Sequence, residues 1–251
     1  MIKVFRKKRY DLMEKKNTGK YFKYAVGEIV LVVIGILIAL AISNWNSKRN
    51  QKNRNHQFLV KLSKELDQNI DRSILMDSIS GGFKNRYISA DSVLRILNKG
   101  ITIEDLDFIT SEPWYFTAPF NLNTNIFEEL KNTGSLYAIG SDSLVSSIQE
   151  YYQLCKRESF YNLEMGKSVS NRQEKYYEGF FNFSHLYQQN PEKAIANHPW
   201  IFDPQSQHYL YYQQYTILLK IHSNLMVRKL KNIIKTSEEL KQLISEEIKK
   251  M

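Results

Sequence analysis

From Ile29 to Ile42 the chain reads IVLVVIGILIALAI, an unbroken run of apolar and glycine residues. Flanked by Tyr24 to Glu28 and Ser43 to Trp45, the segment is about 33 Å long as a helix at 1.5 Å per residue. That covers a hydrocarbon core of roughly 30 Å. Tyr21, Phe22 and Tyr24 lie at one end and Trp45 at the other, where aromatic side chains mark the two membrane interfaces. The pattern predicts a single transmembrane helix over 24–45. The rival reading is a cleaved signal peptide, since Ala39-Leu40-Ala41 resembles a cleavage site. The long basic region before it, with Asp11 and Glu14, and Glu28 at the start of the apolar run favour an uncleaved anchor.

After Trp45 the periodicity becomes that of amphipathic helices. The polar run 47–57 continues the helix as a stalk. Phe58, Leu59, Leu62, Leu66, Ile70 and Ile74 then place an apolar stripe on a helix over 56–79, ended by Gly81-Gly82. A second helix is expected from 83 to 98, stopping at Gly100. Residues 101–122 are less regular, with Pro113, Pro119 and a concentration of rings at Trp114, Tyr115, Phe116 and Phe120. Asn125 to Lys131 forms a short helix capped by Thr124 or Asn123, and Thr133-Gly134 closes it. Leu136, Tyr137 and Ile139 make an apolar link, and Ser141 or Asp142 caps a long helix. The whole reads as a helical hairpin with Leu130, Leu136 and Ile139 buried. Helix is expected to be nearly continuous over 142–179. A break follows near Phe180, Phe181 and Phe183, then a proline-marked loop from about 184 to 205. A last helix runs from Gln207 to Lys250, its charged end from Lys241 expected to fray. The fold class is mainly α: one N-terminal transmembrane helix, then an all-α bundle of long helices. Gly and Pro number only 10 and 5, consistent with few turns.

The net charge of +9 is unevenly placed. Nine Lys/Arg precede Tyr24 against Asp11 and Glu14, so most of the excess sits beside the apolar helix rather than on the folded part. That argues against nucleic acid as a partner and for membrane topology. Four basic residues follow Trp45 (Lys48, Arg49, Lys52 and Arg54), so the imbalance directs the N-terminus inward. The expected domains are a basic cytoplasmic tail over 1–23, the membrane helix over 24–45 and a periplasmic helical domain over 46–251. Ile2, Phe5, Leu12 and Met13 share one face of the tail, suiting it to the anionic inner leaflet. Within the span, Gly35 and Ala39 form a small-xxx-small pair that favours close helix contact and self-association. Glu28 is the ionisable residue there, within reach of the headgroups, Lys23 or a neighbouring helix.

Candidate chemistry is sparse. Cys155 is the only cysteine, so no intramolecular disulfide forms and the domain depends on its core. His56, His185, His198, His208 and His222 show no metal-ligand spacing, and each reads as a surface or capping residue. Phosphate-loop, dinucleotide and nucleophile-elbow motifs are absent from the sequence. The chain is read as a non-enzyme without metal or cofactor. The weak binding candidates are the dense tyrosines Tyr209, Tyr211, Tyr212 and Tyr215, with Trp114. Tyrosine suits both a binding surface and the wet edge of a bundle.

Gly27-Glu28-Ile29-Val30-Leu31-Val32-Val33-Ile34-Gly35-Ile36-Leu37-Ile38-Ala39-Leu40, with Asn44-Trp45-Asn46, resembles the opening of an uncharacterised family of Gram-negative single-pass envelope proteins, domain-of-unknown-function family 6090. Phe127 to Gly134, with Ile139 and Tyr151-Tyr152, is similar to a second stretch of that family. Ala41-Ile42-Ser43 departs from its Gln-Ile-Asn type of ending. The resemblance implies an inner-membrane anchor with an α-helical periplasmic part and carries over no catalytic residue. Three classes of function remain: an interaction or scaffold module with a protein partner, a sensor or ligand-binding module acting through a separate membrane partner, and an enzyme with a dispersed site. The absence of motifs counts against the third.

Overall fold

A computed structural model describes residues 18–78, 82–111 and 120–251, and the described residues contain helices and no strand. The elements are α1 (Thr18–Ser78), α2 (Phe83–Lys99), α3 (Leu106–Ser111), α4 (Asn125–Asn132), α5 (Asp142–Tyr176), α6 (Asn182–Gln189), α7 (Pro191–Asn197) and α8 (Gln207–Lys250). Short 3-10 turns cover Ile103–Asp105, Ser135–Ala138 and Pro199–Phe202, and a π turn covers Tyr177–Phe181. The chain divides into two compact units, Met1–His56 and Gln57–Met251.

The first unit holds the start of α1. It contains a stretch long and apolar enough to cross a membrane, near the N-terminus. Every described side chain from Ile29 to Trp45 is exposed. Arg49 stacks over the Trp45 ring at 5.8 Å.

The second unit is built on α8. Its buried positions Tyr209, Tyr212, Thr216, Leu219, Ser223, Met226, Leu230, Ile233, Ser237, Leu240 and Ile244 recur in alternating steps of three and four. That is the 3.5-residue period of a helix whose apolar seam always faces its partners. α5 repeats the pattern at Leu144, Ile148, Tyr151, Cys155, Glu158 and Asn162. So does the end of α1, at Leu59, Leu62, Leu66, Asn69, Ser73 and Met76. α5 runs antiparallel to α8, as contacts between Ser141 and Glu247, Glu158 and Lys229, Asn162 and His222, and Arg172 and Gln214 show. The end of α1 meets α8 at Asp67 and Lys241, and α2 meets it at Asp91 and Lys220 and at Leu97 and Tyr209. α1 and α2 thus act in succession as the third strand of a three-helix bundle. The bundle has two apolar cores. One joins Leu59, Leu62, Leu66, Leu130, Leu136, Ile139, Ile148 and Ile233; the other joins Val93, Leu97, Ile109, Phe180, Phe183, Ile201 and Tyr212.

The hairpin forms as its sequence indicates. Gly134 takes a left-handed φ of 70°, and Leu130, Leu136 and Ile139 lie fully buried. Asn123 caps the start of α4 as expected, its Oδ1 accepting from the Asn125 N–H at 3.1 Å, and the other expected caps are not formed. Neither Thr124 nor Ser141 accepts a capping bond through its side chain. Glu65 instead accepts from the Ile126 N–H at 2.7 Å, and Glu247 from the Ser141 N–H at 2.9 Å. Each helix start is held by a carboxylate from another helix, where the exposed N–H groups and the helix dipole favour negative charge. Gly140 lies so close that a Cβ there would meet Glu247 Oε1 at 2.9 Å.

Two expectations are corrected. No break occurs at 180 and no long loop follows: the chain passes through the π turn into α6 and then α7. The π turn's extra residue directs Phe180 and Phe183 into the core, and Gly179 leaves space for His208, which a Cβ would approach to 3.0 Å. Pro191 and Pro199 begin helices, where a missing N–H costs nothing, and the Asn190 side chain caps α7. α8 likewise continues to Lys250, because Leu240 and Ile244 are buried and anchor its charged last turns. The amphipathic face expected at Ile2, Phe5, Leu12 and Met13, the helix stop expected at Gly81 and the prolines Pro113 and Pro119 lie outside the described residues.

Leu136→Ala is expected to cost about 2–5 kcal/mol, and Gly134→Val about 1 kcal/mol or more of backbone strain. Against a typical total of roughly 5–15 kcal/mol, the double variant of the full-length chain should melt at a clearly lower Tm by circular dichroism. An unchanged Tm would remove the hairpin from the stabilising core.

Candidate functional site

Where α1, α4 and α5 meet, the seam carries polar side chains. Glu65 is 2% exposed; its carboxylate accepts from the Tyr152 hydroxyl at 2.5 Å and from the Ile126 N–H. One turn on, Asn69 donates to the Asn123 carbonyl at 2.9 Å and accepts from the Asn123 N–H at 2.6 Å. Asn69 also donates to the Tyr151 hydroxyl at 3.2 Å, which lies 2.9 Å from Ser237 Oγ. Three helices therefore meet at the Tyr151 oxygen. Burial, together with the Glu65 carboxylate beside it, raises the Tyr152 pKa far above its ordinary range, and burial does the same for Tyr151. Both remain neutral hydroxyls. Cys155 is 2% exposed, and burial pushes its thiol up to about 12, so it stays protonated.

Outward from Tyr152 the surface opens into a cleft of about 590 Å³ between α4 and α5. Phe127 stacks on Tyr152 with ring centroids 4.2 Å apart. Leu122 and Leu136 complete an apolar floor, Tyr137 stands 73% exposed, and Glu128, Lys131 and Lys156 line the polar part.

A second polar layer lies where the α1 and α2 portions of the third strand succeed one another. His222 is 1% exposed, with Nε2 3.1 Å from Asn162 Oδ1 and its ring edge-on to Phe83. Its Nδ1 is buried and makes no hydrogen bond. Burial first, then the positive charges of Arg86 and Lys229, lower its pKa to about 4. Lys229 itself pairs with the buried Glu158 at 2.5 Å. His222 therefore departs from the surface reading given to all five histidines; it occupies the inner face of α8, and the ring is neutral. His56 and His185 are exposed, and His198 and His208 are half-buried.

The tyrosine candidates divide. Tyr209, Tyr212 and Tyr215 are 1–4% exposed and belong to the second core. Tyr209 donates to the Leu97 carbonyl at 2.7 Å, Tyr212 stacks on Phe180 at 3.8 Å, and Tyr215 stacks on Tyr176 at 4.3 Å. Tyr211 is half-buried. Trp114 lies outside the described residues. Gly35 and Ala39 are exposed on α1, with open space around Gly35, and Glu28 is partly exposed. No group of His, Cys, Asp and Glu fit to hold a metal occurs among the described residues. Sequence reasoning missed Glu65, Asn69 and Asn162; their signal was the 3-and-4 spacing that places polar residues in line with buried leucines.

These features define an all-α chain with one candidate membrane-spanning helix and a three-stranded helical bundle whose polar layers lie inside. The chain belongs to DUF6090, a family of unknown function, whose model matches residues 28–197. No curated protein and no solved structure matches the chain.

Two measurements probe the layers. Tyr152→Phe leaves the Glu65 carboxylate short of a partner and should cost about 1–3 kcal/mol, whereas adding Glu65→Leu should restore part of that loss. Additive losses in the denaturation cycle would show that the pair is not coupled. For His222 the folded pKa of about 4 lies below the ordinary 6.5, so the unfolded chain takes up the proton first. Its contribution is present above pH 6.5 and lost as pH falls toward 4, roughly 2 kcal/mol of it between pH 7 and pH 5. His222→Gln should flatten that part of the stability profile; a profile identical to wild type would contradict the assignment.

Proposed function

We propose that the chain is a membrane-anchored interaction module of the cell envelope, N-terminus cytoplasmic and bundle periplasmic, that works by binding a protein partner rather than by catalysis. The observation that carries this reading is on α8. Opposite its buried seam, Ile217, Ile221 and Leu225 recur every four residues and are 38–47% exposed. Arg228, Lys231 and Lys235 follow on the same side, all exposed. A solvent-facing apolar ridge continued by basic residues suits an acidic amphipathic helix of a partner. The exposed apolar run Ile29–Ile42 supports the anchor, and the nine basic residues before Tyr24 support an inner-membrane orientation. Self-association through Gly35 and Ala39 belongs to the same proposal, with Glu28 near that contact.

The test combines place and contact in the full-length chain. A reporter fused after Met251 should be active only outside the cytoplasm. A photocrosslinking amino acid at Ile221 should yield a discrete protein adduct in native membranes, and one at exposed Ser143, at the far end of the bundle, should not. Activity inside the cytoplasm would overturn the orientation. Equal labelling from both positions, or none, would overturn the α8 interface.

A further inference from the structure

The cleft between α4 and α5 has the properties of a small-molecule site. Its volume of about 590 Å³ falls within the roughly 300–1,000 Å³ usual for ligand pockets. Its floor is preformed: Tyr152 is held from behind by Glu65, and the same carboxylate fixes the start of α4, which carries Phe127. A rigid floor spares a ligand the cost of ordering side chains. Three rings, those of Phe127, Tyr137 and Tyr152, line the space, a composition suited to edge or face contacts with a flat ring.

The charges select the other end of the ligand. Glu65 lies behind the Tyr152 ring, its carboxylate turned to the Tyr152 hydroxyl and the Ile126 N–H rather than to the opening. At the rim, Glu128 is matched by Lys131 at 3.1 Å. Lys156, on the α5 side, forms no ion pair among the described residues, so its ammonium at the rim can take an anionic group of a ligand. Gln149 and Gln153, on the same face of α5, supply amide donors beside it.

We infer that this cleft binds a small aromatic carboxylate, its ring against Phe127, Tyr137 and Tyr152 and its carboxylate at the Lys156 ammonium. The site is separate from the α8 face and does not depend on the partner proposed there.

The probe is 2-naphthoate, with 2-naphthylmethanol as its neutral counterpart. Each is measured by equilibrium dialysis against the full-length chain in lipid nanodiscs, with empty nanodiscs subtracted. Saturable binding of one equivalent of naphthoate is expected, at least fivefold tighter than the alcohol. Lys156→Gln should weaken naphthoate by fivefold or more and abolish the difference between the two probes, whereas Lys156→Arg should retain it. Tyr137→Ala, at an exposed position, should weaken both probes. Both side chains are surface groups, so unchanged circular dichroism and Tm are required of each variant. No saturable binding above empty nanodiscs, or a naphthoate-to-alcohol ratio unchanged by Lys156→Gln, would overturn the site.

Discussion

The 3-and-4 seam of α8 is the constraint on which the second unit depends. An α-helix of 44 residues cannot bury one straight stripe along its whole length at 3.6 residues per turn, because the stripe drifts around the surface. Alternating steps hold it in register with α5 from Glu247 at one end to Gln214 at the other. With that pair fixed, the third strand need not be one helix. α1 serves up to Met76 and α2 takes over from Phe83, each contributing its own 3-and-4 run. The smaller helices then close the two ends: α4 covers the core around Leu130, and α6 and α7 cover the core around Phe183.

Apolar seams alone permit slippage by a heptad, since Leu on Leu packs at several registers. The polar layers oppose this. A shift of α5 against α8 would carry Tyr151 away from Ser237 and Asn162 away from His222, leaving buried donors and acceptors unpaired. The two cross-helix carboxylates act in the same direction: Glu65 and Glu247 reach helix N-termini only in the observed register. These layers cost stability relative to a purely apolar seam. What they contribute is a single alignment, the best-attested use of buried polar groups in helical assemblies.

Much of this was legible in the residues. Gly134 announced a left-handed helix end, the apolar run announced a helix long enough to cross a membrane, and the spacing after Gln207 announced the last helix. Over 180–205 the prolines suggest a loop, yet Pro191 and Pro199 each stand at a helix start, where the same residue favours helix. The π turn at Tyr177–Phe181 has no composition of its own; it brings Gly179 against His208, a contact that local sequence does not show. The tyrosines were ambiguous for a physical reason. A phenol is buried readily once its hydroxyl finds a carbonyl, and the acceptor for Tyr209 lies 112 residues away at Leu97. The Glu65 cap was hidden in the same way, since its partner N–H comes from a helix 61 residues further along. The cleft was legible only as parts. Phe127, Tyr152 and Lys156 are ordinary residues until the hairpin folds α4 onto α5.

The distribution of charge inside the bundle bears on where function resides. Four of its buried groups have pKa values moved away from neutrality: Cys155 and Tyr151 are kept protonated by burial, Tyr152 by burial beside Glu65, and His222 is kept neutral by burial and then by Arg86 and Lys229. A catalytic acid or base works best with a pKa near the operating pH, and these shifts run away from it. The two surfaces proposed for binding lie outside: the α8 ridge sets apolar side chains beside basic ones, and the α4–α5 cleft sets rings beside Lys156. Both surfaces are set in place by the buried layers, one through the register of α8 and the other through Glu65.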